Sequence, residues 1–184
     1  QFLRESTPAQ RRRRYGDAEY DWDRRVDTTS ATVGWRERLL GHFHSPYQPT
    51  EPVIFQEMMA ILKIDFREFT FIDIGSGKGR VLLMAADYPF RRILGIELLA
   101  ALHGVAQKNL SAYKSGSQQC FAVEAVCGDA RDFVFPAGLL VVYLFNPLPE
   151  AGMVDVMANL AQSVSRDPRV VYLLYRNPLF ENVL

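Results

Sequence analysis

From residue 50 onward the apolar positions of this chain alternate between two periods. Phe55, Met58, Met59 and Leu62 recur at i, i+3, i+4 and i+7, the pattern of a helix with one buried face. Thr50 stands where an N-cap would, and Pro52 falls in the first turn. "FTFIDI" (Phe69 to Ile74) then reads as a strand, and "RVLLMAADY" (Arg80 to Tyr88) as a helix ended by Pro89. "RILGIE" (Arg92 to Glu97) predicts a second strand, followed by a helix with Leu102, Val105, Ala106 and Tyr113 on one face. "FAVEAVCG" (Phe121 to Gly128) is a third strand, and "LLVVYLFN" (Leu139 to Asn146) a continuous apolar run of the kind covered on both sides. Pro149 opens a helix carrying Met153, Val156, Met157, Leu160 and Val164, and "RVVYLLY" (Arg169 to Tyr175) is a fifth strand. Strands alternating with helices predict an α/β, doubly wound sheet of at least five parallel strands with helices on both faces.

The first fifty residues lack this rhythm, apart from a weak helical pattern around Val33 to Leu40 and a proline-marked loop, "SPYQPTEP", at Ser45 to Pro52. Residues 1–46 therefore read as an N-terminal extension, partly flexible, and 47–184 as one domain. The extension holds the run Arg11 to Arg14 and the pair Arg24-Arg25, interleaved with Asp17, Glu19, Asp21, Asp23 and Asp27. Acids so close to the arginines weaken attraction to phosphate, so this is a solvated mixed-charge segment before it is a nucleic-acid contact. The net charge of zero points to neither nucleic acid nor membrane. Cys120 and Cys127 read as two reduced thiols of a cytoplasmic protein. No apolar run reaches the roughly 18 residues that span a bilayer, so no membrane partner is expected. The first residue is Gln1 rather than Met, as in a trimmed chain.

Immediately after the first strand the sequence reads "DIGSGKG", with Gly75, Gly77 and Gly79 at alternate positions. In open parallel sheets, ligands sit beyond the carboxyl ends of the strands. Glycine allows positive φ and lets a ligand lie against bare backbone. A phosphate-cradling P-loop needs Gly-Lys-Ser/Thr, but here a glycine follows Lys78 and Arg80 stands next. A dinucleotide fingerprint needs G-x-G-x-x-G, and Arg80 occupies the third glycine's place. S-adenosylmethionine suits G-x-G-x-G better, because its methionine half carries no phosphates. Gly75, Ser76 and Gly77 would line that half, and Asp73 would receive its amino group or hold the loop through backbone N–H groups. Lys78 and Arg80 are expected as exposed loop and helix-start residues.

Glu97 ends the second strand 22 positions after Gly75, where a carboxylate can take both ribose hydroxyls, with Leu98 beside it. After the third strand, "CGDARDF" places Asp129 and the Ala130 backbone N–H where they could meet an adenine ring; Asp132 reads as a surface charge. After the fourth, "LFNPLPE" brings Asn146 and Pro147 out beside the predicted methyl group. Methyl transfer is an in-line displacement that mainly needs alignment of the nucleophile. The Asn146 amide oxygen and a carbonyl such as that of Pro147 could hold an amine with its lone pair free.

"DIGSGKG", "GIE", "GDA" and "FNP", in this order and spacing, resemble the class I S-adenosylmethionine-dependent methyltransferases. The resemblance covers roughly residues 47–175 and implies a Rossmann-like sheet in the order 3-2-1-4-5. Within that superfamily, "PYQPTEPVIF" and "DIGSGKGRVLLMAA" are similar to the non-SET histone-lysine methyltransferases, and the chain as a whole is similar to bacterial methyltransferases of unassigned substrate. The first similarity implies Tyr47 and Thr50 over the cofactor and Asn146 beside an amine. Two departures stand out. Leu148 and Pro149 follow Pro147, where amino-methyltransferases carry Pro and an aromatic residue, and only "RNPLFENVL" follows the fifth strand, where the fold usually adds an antiparallel pair. The fifth strand is therefore expected to leave a sheet edge exposed. His42 and His44 read as surface loop residues, His103 as an exposed helix position, and no His/Cys/Asp grouping has metal-ligand spacing. The expected activity is methyl transfer to an amino nitrogen of an acceptor of unknown class. A non-catalytic module that binds S-adenosylmethionine, or an NAD-dependent oxidoreductase, are the alternatives.

Overall fold

The computed structural model describes residues 20–29 and 49–184. Tyr47, His42, His44, the arginine run and the weak helix at Val33 to Leu40 lie outside the described residues. Five parallel strands pair in the order β3-β2-β1-β4-β5: β1 is Phe69–Ile74, β2 Arg92–Glu97, β3 Val123–Cys127, β4 Leu139–Leu144 and β5 Val171–Tyr175. The helices are α1 (Pro52–Ile61), α2 (Arg80–Ala85), α3 (Ala100–Ala112) and α4 (Glu150–Arg166). Type, order and pairing match the sequence expectation. β1 and β2 have the predicted bounds, β3, β4 and β5 are shorter than their apolar runs, and α2 stops at Ala85, with turns at 86–88 before Pro89.

Side chains alternate across each strand, so the central sheet feeds two cores. Phe71, Val141 and Tyr143 face Phe55 and Met59 of α1 and Val81, Leu82 and Leu83 at α2. Ile72, Ile74, Ile96, Leu140, Val142 and Leu144 face Met153, Val156 and Leu160 of α4. All six residues of β1 are buried, as a strand covered on both sides requires. Asp73 is the single acid in that run. Its register partners are Gly95 on β2 and Tyr143 on β4, so the three form one row across the sheet.

Thr50 does not cap α1. Glu51 holds the cap position without a side-chain bond, and the buried Thr50 hydroxyl meets the Tyr143 hydroxyl at 2.7 Å. A buried phenol needs a partner, and this one takes Thr50 from the helix end.

The segment 20–29 packs against the body of the domain. It contains one helical turn (20–24), closed by the Val26 N–H donating to the Asp21 carbonyl. Tyr20 is buried in the same core as Leu83 and Tyr113, and Thr28 is wholly buried. Contacts of Asp27 with Lys78 and of Thr28 with Arg80 place the segment beside the glycine loop.

Candidate functional site

The loop after β1 is seated on β2. The N–H groups of Gly75 and Ser76 both donate to the Ile96 carbonyl, at 2.9 and 3.0 Å. Gly75, Gly77 and Gly79 have φ of +77°, +54° and +83°, a region that side chains disfavour. At Gly75 space forbids a side chain as well: a Cβ would lie 2.5 Å from the Cβ of Pro147. A Cβ on Gly95 would stand 2.6–2.8 Å from Leu82 Cδ1 and the Ser76 side chain. The glycine of "GIE" therefore lets the loop and α2 close onto the sheet, a role that sequence spacing did not single out.

Glu97 does for the loop what Asp73 was expected to do. One of its oxygens accepts the Gly77 N–H at 2.8 Å and the other accepts the Leu99 N–H at 2.8 Å. Burial raises the Glu97 pKa, while the N–H groups of Leu99 and Gly77 pull it back down. Asp73 is 3 % exposed, and no donor among the described residues bonds its carboxylate. Burial, then the charge of Glu97, push its pKa well above the usual carboxylate range. An unpartnered carboxylate beside another acid is a site that gains from a cation.

These groups surround one cavity of about 280 Å³ beyond the carboxyl ends of the strands. Thr50, Asp73, Gly75, Ser76 and Gly77 line one part of it, and Glu97, Leu98, Asp129 and Ala130 another. Asn146 and Pro147 line the β4 side, with Tyr143, Phe145 and Leu179. Every predicted site residue within the described residues borders this one space.

The local roles differ from those expected. Asp129 accepts from the backbone N–H and from Nε and Nη2 of Arg131, which closes the 3₁₀ turn Ala130–Asp132. Its carboxylate is thus engaged beside the cavity, whereas Ala130 is buried and Asp132 exposed. Asn146 sits at φ +45°, and its amide is tied to the segment after β5. Nδ2 donates to the Asn177 carbonyl at 2.8 Å, and Oδ1 accepts from the Tyr175 hydroxyl at 2.9 Å and the Leu179 N–H at 3.3 Å. The carbonyls of Asn146 and Pro147 receive no donor among the described residues. His103 is half-buried rather than exposed, its Nε2 lying 3.1 Å from the Ala125 carbonyl.

Lys78 and Arg80 are buried, against expectation, because acids of the N-terminal segment neutralise them. Lys78 Nζ donates to Asp27 at 2.7 Å. Arg80, 2 % exposed and bordering the cavity, donates from Nε to the Thr28 hydroxyl at 2.6 Å and from Nη2 to Asp21 at 3.2 Å. The Tyr20 ring covers its guanidinium at 4.8 Å. Asp21 is partly buried, which raises its pKa, but hydrogen bonds from Thr28 and Thr29 and the charge of Arg80 outweigh this and lower it. The Asn109 amide completes the contact, donating to the carbonyls of Asp27 (2.8 Å) and Lys78 (2.9 Å) and accepting the Asp27 N–H (2.9 Å).

No family model matches the chain, and no curated protein matches it in sequence. Solved structures do. A predicted N6-adenine-specific DNA methylase from Listeria monocytogenes superposes with a TM-score of 0.55 at 15% identity, over 77% of this chain and 48% of that one. An RNA methyltransferase from Salinibacter ruber, in complex with S-adenosyl-L-homocysteine, gives 0.48 at 22% identity, over 62% and 70%. A SAM-dependent methyltransferase from Thiobacillus denitrificans, also with S-adenosyl-L-homocysteine, gives 0.49 at 19% identity, over 72% and 52%. The chain spans about half the length of the Listeria protein. Its parallel sheet in the order β3-β2-β1-β4-β5, together with that superposition, gives the chain a Rossmann-like fold shared with the Listeria methylase.

Proposed function

We propose that this protein binds S-adenosylmethionine in the cavity at the strand ends and transfers its methyl group to an amino nitrogen. The observation that carries the reading is the convergence of the glycine loop, Asp73, Glu97, Ala130 and the Asn146-Pro147 turn on one space. The donor set suits the group. Asp73 is a buried carboxylate with no donor among the described residues and would hold the ammonium, and Glu97 retains acceptor capacity on both oxygens for ribose hydroxyls. The Ala130 N–H and the apolar side chain of Leu98 would frame the adenine.

When bound, the cofactor supplies a methyl group on a sulfonium, already a good leaving group. The protein's part is alignment and exclusion of water. The carbonyls of Asn146 and Pro147, which receive no donor among the described residues, could accept N–H groups of an amine and leave its lone pair directed at the methyl carbon. Because the Asn146 amide is already engaged, these carbonyls are the better candidates for that task. Thr50 and Tyr143 close the same side with a fixed pair of hydroxyls.

The engaged Asn146 amide also favours a second reading, a module that binds the cofactor without turnover. Titration calorimetry with S-adenosylmethionine, S-adenosylhomocysteine and NAD, followed by turnover on proteins, nucleic acids and small amines, tests both. Binding of the first two ligands with methylation of an amine is the expected result. Binding without turnover on any acceptor leaves the module. Binding of NAD alone overturns the proposal.

A further inference from the structure

One side of the glycine loop borders the cavity, and the other is held by a segment far away in sequence. The loop's cations, Lys78 and Arg80, are paired with Asp27 and Asp21, and the Thr28 and Thr29 hydroxyls also meet Arg80. Asp21 is fixed in turn by the Thr28 N–H at 2.7 Å and by both threonine hydroxyls. Asn109 binds the backbone of Asp27 on one side and the Lys78 carbonyl on the other, so loop, segment and α3 share one amide. At Gly79, φ +83°, a Cβ would lie 3.3 Å from the Ala106 Cβ, a tight contact with α3.

Without this segment Lys78 would lose its Asp27 partner, and Arg80 its bonds to Asp21, Thr28 and Thr29. The mutual repulsion of the two cations and their need for solvent would pull the loop away from the conformation in which Gly77 reaches Glu97. Arg80 adds a direct link, since it borders the cavity while its guanidinium is held by the segment. We propose that residues 20–29 are an integral support of the cofactor site, braced behind the glycine loop: Asp21, Asp27 and Thr28 act as positioning residues that set the loop, and cofactor binding and segment docking are coupled.

The proposal rests on the S-adenosylmethionine reading, and the experiment separates the two. Coupling is reciprocal, so a ligand that needs the docked segment must also hold it down. Hydrogen exchange on the full chain, with and without saturating S-adenosylmethionine, is read at the backbone amides of 20–29. Exchange there is expected to slow at least tenfold on binding, whereas a segment that only fills the core would exchange alike in both states. Asp21→Asn is expected to weaken S-adenosylmethionine at least tenfold. Asp27→Lys, which sets a second cation against Lys78 from a side chain that is 67% exposed, is expected to weaken it about fivefold, with a smaller fall in melting temperature than Asp21→Asn. If S-adenosylmethionine gives no binding heat with the wild-type chain, the cofactor reading fails and the coupling with it. If it binds and exchange at 20–29 is unchanged, or Asp27→Lys binds as tightly as wild type, the positioning role is overturned while the cofactor reading stands.

Discussion

Gly75 and Pro147 are in contact across the top of the sheet: a Cβ on the first would lie 2.5 Å from the Cβ of the second, the glycine having φ +77°. The loop after β1 and the turn after β4 are therefore one packed unit on the rim of the cavity. Gly75→Ala adds left-handed strain of about 1–2 kcal/mol to a clash with a rigid ring. For a domain of this size each kcal/mol lowers the melting temperature by roughly 2–4 °C. A fall of several degrees with loss of cofactor binding is expected in thermal denaturation and calorimetry. An unchanged melting temperature would mean that the contact relaxes freely.

Glu97 has two tasks, and a cycle separates them. Glu97→Ala removes acceptors from Gly77 and Leu99 as well as from a ribose, and hydrogen bonds to charged groups are worth about 1.5–3 kcal/mol each. Affinity for S-adenosylmethionine should fall at least tenfold, with a lower melting temperature. The 2′-deoxyribose analogue should bind more weakly than S-adenosylmethionine to the wild type and equally to the variant. If the variant still discriminates between them, Glu97 serves the loop alone.

Asp73 is predicted to cost stability at neutral pH. Its pKa in the folded protein is raised by burial and by Glu97, so its contribution is fully present below the unfolded value of about 3.9 and is lost as pH rises through the folded value. Asp73→Asn should melt close to wild type at pH 4 and progressively above it towards pH 8, while binding S-adenosylmethionine more weakly. Melting curves across that range decide the matter. A difference that shrinks with rising pH would contradict a raised pKa.

The hydroxyls of Thr50 and Tyr143 join the loop before α1 to β4. Thr50→Val and Tyr143→Phe each leave one buried hydroxyl without its partner, while the double variant leaves neither. A double-mutant cycle on unfolding should give a coupling of about 1 kcal/mol. Strict additivity would show that the 2.7 Å contact contributes nothing to stability.

The fold and the rim of the cavity were legible because both follow from local signals. Apolar runs of strand length ending in Gly, Asp or Glu mark where β1, β2 and β3 stop, and in a parallel sheet those ends converge. What holds the rim was not legible. Arg80 and Asp21 lie 59 positions apart, and Asn109 and Asp27 lie 82 apart, so no spacing rule relates them. A mixed-charge stretch and a buried ion pair look alike until the chain is folded. That Glu97 rather than Asp73 holds the loop was hidden for a similar reason, since it turns on which carboxylate the loop's N–H groups can reach.

The pairing of β1 with β4 has a consequence for how the molecule is made. Phe69 is in register with Leu139, and Asp73 with Tyr143, so the middle of the sheet closes only after β2, α3 and β3 have all been synthesised. Until then the emerging chain carries β1 with one side open and its acid next to bare backbone. Such long-range parallel pairing is slow and leaves strand edges exposed to other chains. Soluble yield during synthesis should therefore depend on what happens between the emergence of Ile74 and that of Leu144, more than on the final stability of the sheet.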